Sequence, residues 1–278
     1  SVTITATSAP SGGYEAATAA YEFYVDPKPV KATVIAASRQ YDGSTAVALT
    51  VTISGLVSGD TVGSVTAIGQ FTDGNVGTNK TVIIDRLNIP DAVSEKYAID
   101  YNHTTTASIT PKAATVTGVT ANSGLTYNGS EQALLDSSSA SVEGGNLAYS
   151  LDGGVSYSFN IPTGTDAKSY TVWYKVSAGD NYKDSAPASV TVTIGQNTDK
   201  PTVLCMPDQI QYDGTAKTPT VVVRDSANRI ILESEYSVSV DKTAIAVGEY
   251  TVTVTDKQGG NYDFMNVSTP VTGTFHIV

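Results

Sequence analysis

Apolar and polar residues alternate with period two along many short stretches of this chain, and no stretch carries a convincing 3.6-residue apolar period. In the run from Tyr170 to Ser177, the side chains of Tyr170, Val172, Tyr174 and Val176 fall on one face. Thr171, Trp173, Lys175 and Ser177 fall on the other. That is the mark of a strand with one side in a core. Val190, Val192 and Ile194 repeat the pattern with Thr191 and Thr193 outward. Leu147 to Leu151, then Asp152-Gly153-Gly154, then Val155-Ser156-Tyr157 reads as a hairpin, because glycine supplies the positive φ of a tight β turn. Many short strands separated by turn signals predict an all-β chain of antiparallel, immunoglobulin-like β-sandwiches.

The pattern recurs at long range. Tyr41-Asp42-Gly43, Tyr127-Asn128-Gly129 and Tyr212-Asp213-Gly214 lie 86 and 85 residues apart. Each follows a short opening strand marked by Lys or Pro: Lys31 to Val34, Lys112 to Val116, and Lys200 to Val203. Tyr170-Thr171-Val172 and Tyr250-Thr251-Val252 open matching later strands, with Lys80-Thr81-Val82 in that place in the first repeat. A Gly/Asp-rich turn and a tyrosine come next, at Asp180-Asn181-Tyr182 and Gly260-Asn261-Tyr262, with Tyr97 as the first repeat's counterpart. Final strands close the repeats near Ile109, Ile194 and Ile277. The first repeat departs after Leu87, where a longer insertion precedes Tyr97.

These spacings predict complete modules at 27–110, 111–195 and 196–278. Residues 1–26 read as the closing half of a truncated module, with strands near Val2 and Tyr21 around a Gly13-Tyr14 turn. Pro27, Pro111 and Pro201 mark short joints, so an elongated array with restricted bending is expected.

Composition narrows the function classes. The net charge of -11 offers no basic face to phosphates, so nucleic acid is not an expected partner. No apolar run approaches the ~20 residues that span a bilayer, so membrane insertion of this segment is not expected. The chain opens on a strand pattern at Ser1-Val2-Thr3-Ile4-Thr5, with no signal-peptide pattern. Cys205 is the single cysteine, which precludes an intrachain disulfide, and its apolar neighbours predict a buried thiol. Sixteen tyrosines against five phenylalanines suit thin modules, since tyrosine buries its ring while its hydroxyl stays wet.

With these features in view, Ser38 to Thr45, Ser54 to Asp60 and Asn75 to Val82 resemble the YDG repeat of bacterial surface proteins. The second repeat, through Leu125 to Gly129, Tyr149 to Gly154 and Ile161 to Ala167, resembles a related bacterial Ig-like module of the MBG type, as does the third. The resemblance spans nearly the whole chain. It implies large, modular cell-surface or secreted proteins of bacteria, where such repeats serve as stalks or adhesin-like segments, and it carries no catalytic residues.

Candidate chemistry is sparse. His103 and His276 have no nucleophile or ligand cluster beside them in sequence, so neither a triad nor a histidine-rich metal site is supplied. Asp180, Asn181 and Asp184, or Asp73 and Asn75, offer oxygen ligands for calcium, but without the dense spacing of a known calcium loop. Solvated turns are the simpler reading. Glu233 and Glu235 lack an aromatic cleft for glycosidase chemistry. An isopeptide crosslink through one of the opening-strand lysines is conceivable, but its partners cannot be placed. No catalytic residue, metal or cofactor is expected.

Trp173 alone breaks its pattern, standing where the other repeats have Thr253 and Ile83. It is the one candidate binding residue: its ring could stack on a sugar, pack on a neighbouring module, or lie on its own sheet beside Lys175. The expectation is therefore a non-catalytic extracellular stalk or adhesin-like region. Its partners would be other modules of the same protein, with host or cell-wall glycan or protein as further candidates. The alternative is a carbohydrate- or protein-binding module accessory to an enzyme elsewhere in a longer chain.

Overall fold

The computed structural model describes residues 1–278 apart from Ser137, Val267 and Ser268. The fold is all-β, and among the described residues the one helix is a single turn, Asp91–Ser94. Contacts divide it into two compact units: Ser1–Ala113 with Gly179–Lys183, and Ala114–Ala178 with Asp184–Val278.

The first unit begins with a hairpin in which Val2–Ser8 pairs antiparallel with Ala17–Phe23. Its threonines and alanines form strands but offer little to bury, and every residue except Phe23 is exposed. The next strand, Lys28–Ala36, alternates cleanly, with Val30, Ala32, Val34 and Ala36 buried. It sits between Leu49–Ser54, antiparallel, and Tyr97–Tyr101, parallel. A four-stranded sheet follows in the order Arg39–Gln40, Thr104–Thr110, Gly77–Asn88, Thr66–Phe71. Ala36 of the first sheet packs with Phe71, Val82, Ala107 and Ile109 of the second. The insertion before Tyr97 becomes the rest of the long Gly77–Asn88 strand and the Asp91–Ser94 turn. That turn seats Val93 beside Val30 and Tyr97.

In the second unit, Gly145–Ser150, Ser169–Ala178 and Ala188–Thr193 form an antiparallel sheet with Tyr149 opposite Tyr174 and Val172 opposite Val190. Val172, Val192 and Ile194 join Leu134, Leu135 and Tyr149 in one core, which is what the period-two pattern requires. Farther along, Thr202–Met206 pairs with Thr220–Arg224. A four-stranded sheet runs Gln209–Ile210, Val271–Ile277, Gly248–Asp256, Tyr236–Val240. Phe275, Val252, Val223 and Ile231 fill its core, and Cys205 lies buried against them, where burial raises its thiol pKa.

Two expectations need correction. The pairing is mixed rather than purely antiparallel: Lys28–Ala36 runs parallel to Tyr97–Tyr101, Arg39–Gln40 to Thr104–Thr110, and Gln209–Ile210 to Val271–Ile277. Alternation reports which face a residue takes, not the direction of its neighbour. The return limb Val155-Ser156-Tyr157 forms no strand, and Tyr149 meets Ser158 through a single bridge. Asp152 is the cause. Its carboxylate accepts the amides of Val155 (3.0 Å) and Ser156 (3.0 Å) and the hydroxyl of Ser150 (2.5 Å), which rolls the chain into a loop.

Candidate functional site

The three Tyr-Asp/Asn-Gly segments fold alike, and their local chemistry explains why. The side-chain oxygen of Asp42 accepts the Ser44 amide at 2.8 Å, that of Asn128 the Ser130 amide at 2.9 Å, and that of Asp213 the Thr215 amide at 2.9 Å. These are Asx turns, and the glycines complete them with φ of 82°, 74° and 77°. The Ser44 amide, with Arg39 beside it, holds Asp42 below the usual carboxylate range, and Lys217 does the same for Asp213. Each tyrosine amide then donates to the carbonyl that ends the last strand of its segment: Tyr41 to Thr110, Tyr127 to Gly195, and Tyr212 to Val278. The tyrosine ring is thereby fixed where the chain leaves that strand.

Three residues beyond Ile109 and Ile194, the chain docks onto a tyrosine-bearing turn. The Lys112 amide donates to the Asn181 carbonyl at 3.2 Å, and the Asn197 amide to the Asn261 carbonyl at 2.9 Å. The Lys28 amide meets the Lys96 carbonyl in the same way at 2.9 Å, which places Tyr97 as the counterpart of Tyr182 and Tyr262.

These two sets of anchors bring tyrosine to tyrosine. In the first unit, the rings of Tyr41 and Tyr182 meet edge to face, with centroids 5.4 Å apart and planes at 70°. The Val76 amide donates to Asn181 Oδ1 at 2.8 Å, and Asn181 Nδ2 donates to Asn75 Oδ1 at 3.2 Å. In the second unit, Tyr127 and Tyr262 meet at 5.3 Å and 74°. The Ala167 amide donates to Asn261 Oδ1 at 2.7 Å. One asparagine and one tyrosine do the same work at both joints.

The joint in the second unit carries further polar support. Glu235 holds Asn261 by accepting its amide at 2.8 Å and its Nδ2 at 3.2 Å. Gln196 donates to the carbonyls of Gly260 and Tyr262, and Asn197 Nδ2 donates to that of Tyr127. Asp225 is buried and accepts Arg229 Nε at 2.7 Å and the amides of Ala227 and Arg229. Burial pushes the Asp225 carboxyl up, but the Arg229 bonds outweigh it and leave the pKa lowered. The guanidinium also lies over Gly129, where a β-carbon would stand 2.4 Å from Arg229 Nη1. Glycine is thus favoured there by its φ of 74°, and a side chain would also have to displace the guanidinium. Burial raises the Tyr262 hydroxyl well above the ordinary tyrosine pKa, and the negative Asp225, 3.4 Å away, adds to it.

A family model described as YDG domain matches residues 26–107. Residues 26–107 are a YDG-type module. No curated protein matches the chain. The YDG-type module therefore contains Tyr41 and Asn75-Val76, the half of the first joint that receives the Asn181-Tyr182 turn.

The remaining candidates are dispersed. Trp173 stands opposite Ser150 and Ser189, half-buried, with its Cδ2 3.9 Å from the site of a Gly154 β-carbon. The ring lies on its own sheet against the Ser150–Ser158 loop, while Lys175 turns to Asp184 at 2.6 Å and over the Tyr157 ring. His103 packs on Tyr101, and His276 contacts Glu249 at 3.1 Å. Asp73 is bonded to Lys80, Asp184 to Lys175, and Asn75 to Asn181. Among the described residues no group of three or more His, Cys, Asp or Glu side chains comes together as a metal site. Nor is any described helix long and apolar enough to cross a membrane. Glu233 and Glu235 sit in the turn before Tyr236–Val240; Glu233 borders a groove of about 400 Å³ that Thr220, Val221, Val238 and Val240 line with a single aromatic ring, Tyr236, while Glu235 is bonded to Asn261.

By sequence Asn181 reads as a turn or calcium residue, and no motif marks Asp225, Arg229 or the bond between Glu235 and Asn261. The available signal was the Asn-Tyr pair itself, which recurs at Asn181-Tyr182 and Asn261-Tyr262.

Proposed function

We propose that this chain is a non-catalytic structural segment: tandem immunoglobulin-like β-sandwich modules in an elongated array, serving as an extracellular stalk or adhesin-like region of a bacterial surface protein. The observation that carries this reading is the repeated joint. Tyr41 with Tyr182 and Asn181, and Tyr127 with Tyr262 and Asn261, use one edge-to-face ring pair and one asparagine-to-amide bond each. Edge-to-face rings add about 0.5–1.5 kcal/mol beyond buried area, and the directional bonds hold the paired turns in one orientation. A device repeated at successive joints suits a part whose task is to hold a distance. The YDG-type match at residues 26–107 agrees with a repeat of this class.

Small-angle scattering tests the reading. The expected result is an elongated particle whose maximum dimension is kept by the wild type and grows more variable when Tyr127 is replaced by alanine. A compact particle would sink it. A glycan-array signal lost on Trp173→Ala would replace it with the binding-module reading.

A further inference from the structure

The third Tyr-Asp-Gly segment repeats the receiving half of the joint, and among the described residues no Asn-Tyr turn meets it. Register makes the equivalence explicit. Gly77 lies opposite Ile109, the Lys168 carbonyl accepts the Ile194 amide, and Gly248 lies opposite Ile277. The residues just before them are Val76, Ala167 and Val247. The amides of Val76 and Ala167 donate to an asparagine side chain. The Val247 amide has no partner among the described residues, and Val247 is 67% exposed.

The surrounding parts are already set. The Tyr250 hydroxyl donates to the Ala246 carbonyl at 2.8 Å, as the Tyr170 hydroxyl does to that of Asp166 at 3.0 Å. The Tyr212 amide is anchored on Val278, and the Asp213 turn is closed on Thr215. The Tyr212 ring, however, is 49% exposed, while those of Tyr41 and Tyr127 are partly covered by their partners.

We propose that the face formed by the Tyr212 ring and the Val247 amide is a docking site for the Asn-Tyr turn of one further module of the same repeat. This rests on the modular reading above. Asparagine is the matching chemistry because its Oδ1 accepts the loop amide, and tyrosine because its ring edge meets the exposed ring. A second copy of these 278 residues is a poor source. Both of its Asn-Tyr turns are engaged in its own joints, and the corresponding turn of segment 27–110 carries Lys96-Tyr97 instead.

The test joins a copy of residues 196–278 directly after Val278 of the full chain. That junction keeps the spacing of the existing joints, because the copied Asn197 then falls three residues beyond Ile277, as Lys112 does beyond Ile109. Amide hydrogen exchange at Val247 is compared in the original and the extended chains. A bonded, covered amide exchanges more slowly than an open one, and a slowing of at least about tenfold is expected on extension. Asn261→Ala in the added copy alone should abolish it. An unchanged Val247 rate overturns the proposal, whether or not the added copy folds. Protection that rises with concentration in the original chain also overturns it, in favour of pairing between copies. The modular reading is judged separately, at the Val76 and Ala167 amides. If those stay protected while Val247 does not, the docking proposal alone fails.

Discussion

The ring of Tyr127 stands edge-on to that of Tyr262 at 5.3 Å, and 135 residues of chain separate the two. Neither residue lies at the centre of a sheet. Tyr127 is held by the Gly195 carbonyl and Tyr262 by a parallel bridge to Asn197, so both are placed by the same short link, Gly195 to Asn197. The first unit repeats the relationship with Tyr41 and Tyr182, and there the link is Thr110 to Lys112.

Removing the ring should therefore matter only where it is paired. Tyr127→Ala is expected to lower stability by about 2–4 kcal/mol, the usual range for truncating a packed aromatic. Tyr212→Ala, at the equivalent but uncovered position, should stay within about 1 kcal/mol of wild type. Urea unfolding of the two variants checks this. Equal losses would mean that the tyrosine serves its own turn and not the joint.

Asn261 acts through an amide more than through bulk. Asn261→Ala leaves the Ala167 amide without its partner and takes the Nδ2 bond from Glu235, which keeps the main-chain amide of residue 261, and an unsatisfied buried group costs about 1–3 kcal/mol. Hydrogen exchange at Ala167 should accelerate while that at Val172, deep in the neighbouring sheet, barely changes. Uniform acceleration of both would show that the substitution had loosened the whole segment.

Much of the fold was legible because burial with period two leaves a direct trace in residue order. Tyr170 to Val176 and Val190 to Ile194 take the faces their alternation assigns. The parallel pairings left no such trace, since Lys28–Ala36 would alternate in the same way beside either direction of neighbour. The joint was half legible. The recurrence of Tyr-Asp/Asn-Gly marked a turn, which the Asx bonds of Asp42, Asn128 and Asp213 make, but its tyrosine finds a partner 141 or 135 residues away. The pair Asp225 and Arg229 was hidden for another reason. Four residues apart, they look like any surface pair, and only the fold buries Asp225 and lays the guanidinium over Gly129.

The Tyr262 hydroxyl gives the joint an alkaline limit. Burial, then the negative Asp225, raise its pKa above the unfolded value of about 10. A group whose folded pKa is raised contributes stability that is fully present below the unfolded value and fades as pH climbs through the folded one. Thermal melts should thus fall as pH rises past about 10, and Tyr262→Phe should make that fall shallower. An identical alkaline slope in the two proteins would show that Tyr262 does not stay neutral in the folded state.

Trp173 decides between support and recognition. Its strand sends Val172 and Val176 into the core, so the indole must lie on the other face, where it meets the Gly154 loop. That loop keeps its shape through Asp152, whose carboxylate the hydroxyls of Ser150 and Ser156 hold well below the ordinary range. The ring therefore has the Asp152-held loop beside it, and it is only half-buried. Sugar-binding surfaces use rings whose flat face is open, often more than one, and the nearby Tyr157 ring is already covered by Lys175 at 4.8 Å. Trp173→Ala should cost about 1–2 kcal/mol, as expected for partial burial of a large apolar side chain. Trp173→Phe should restore most of that loss, because a smaller ring still covers the loop. Melts that match wild type for both variants, together with glycan binding that only wild type shows, would reverse the assignment and make Trp173 a recognition residue.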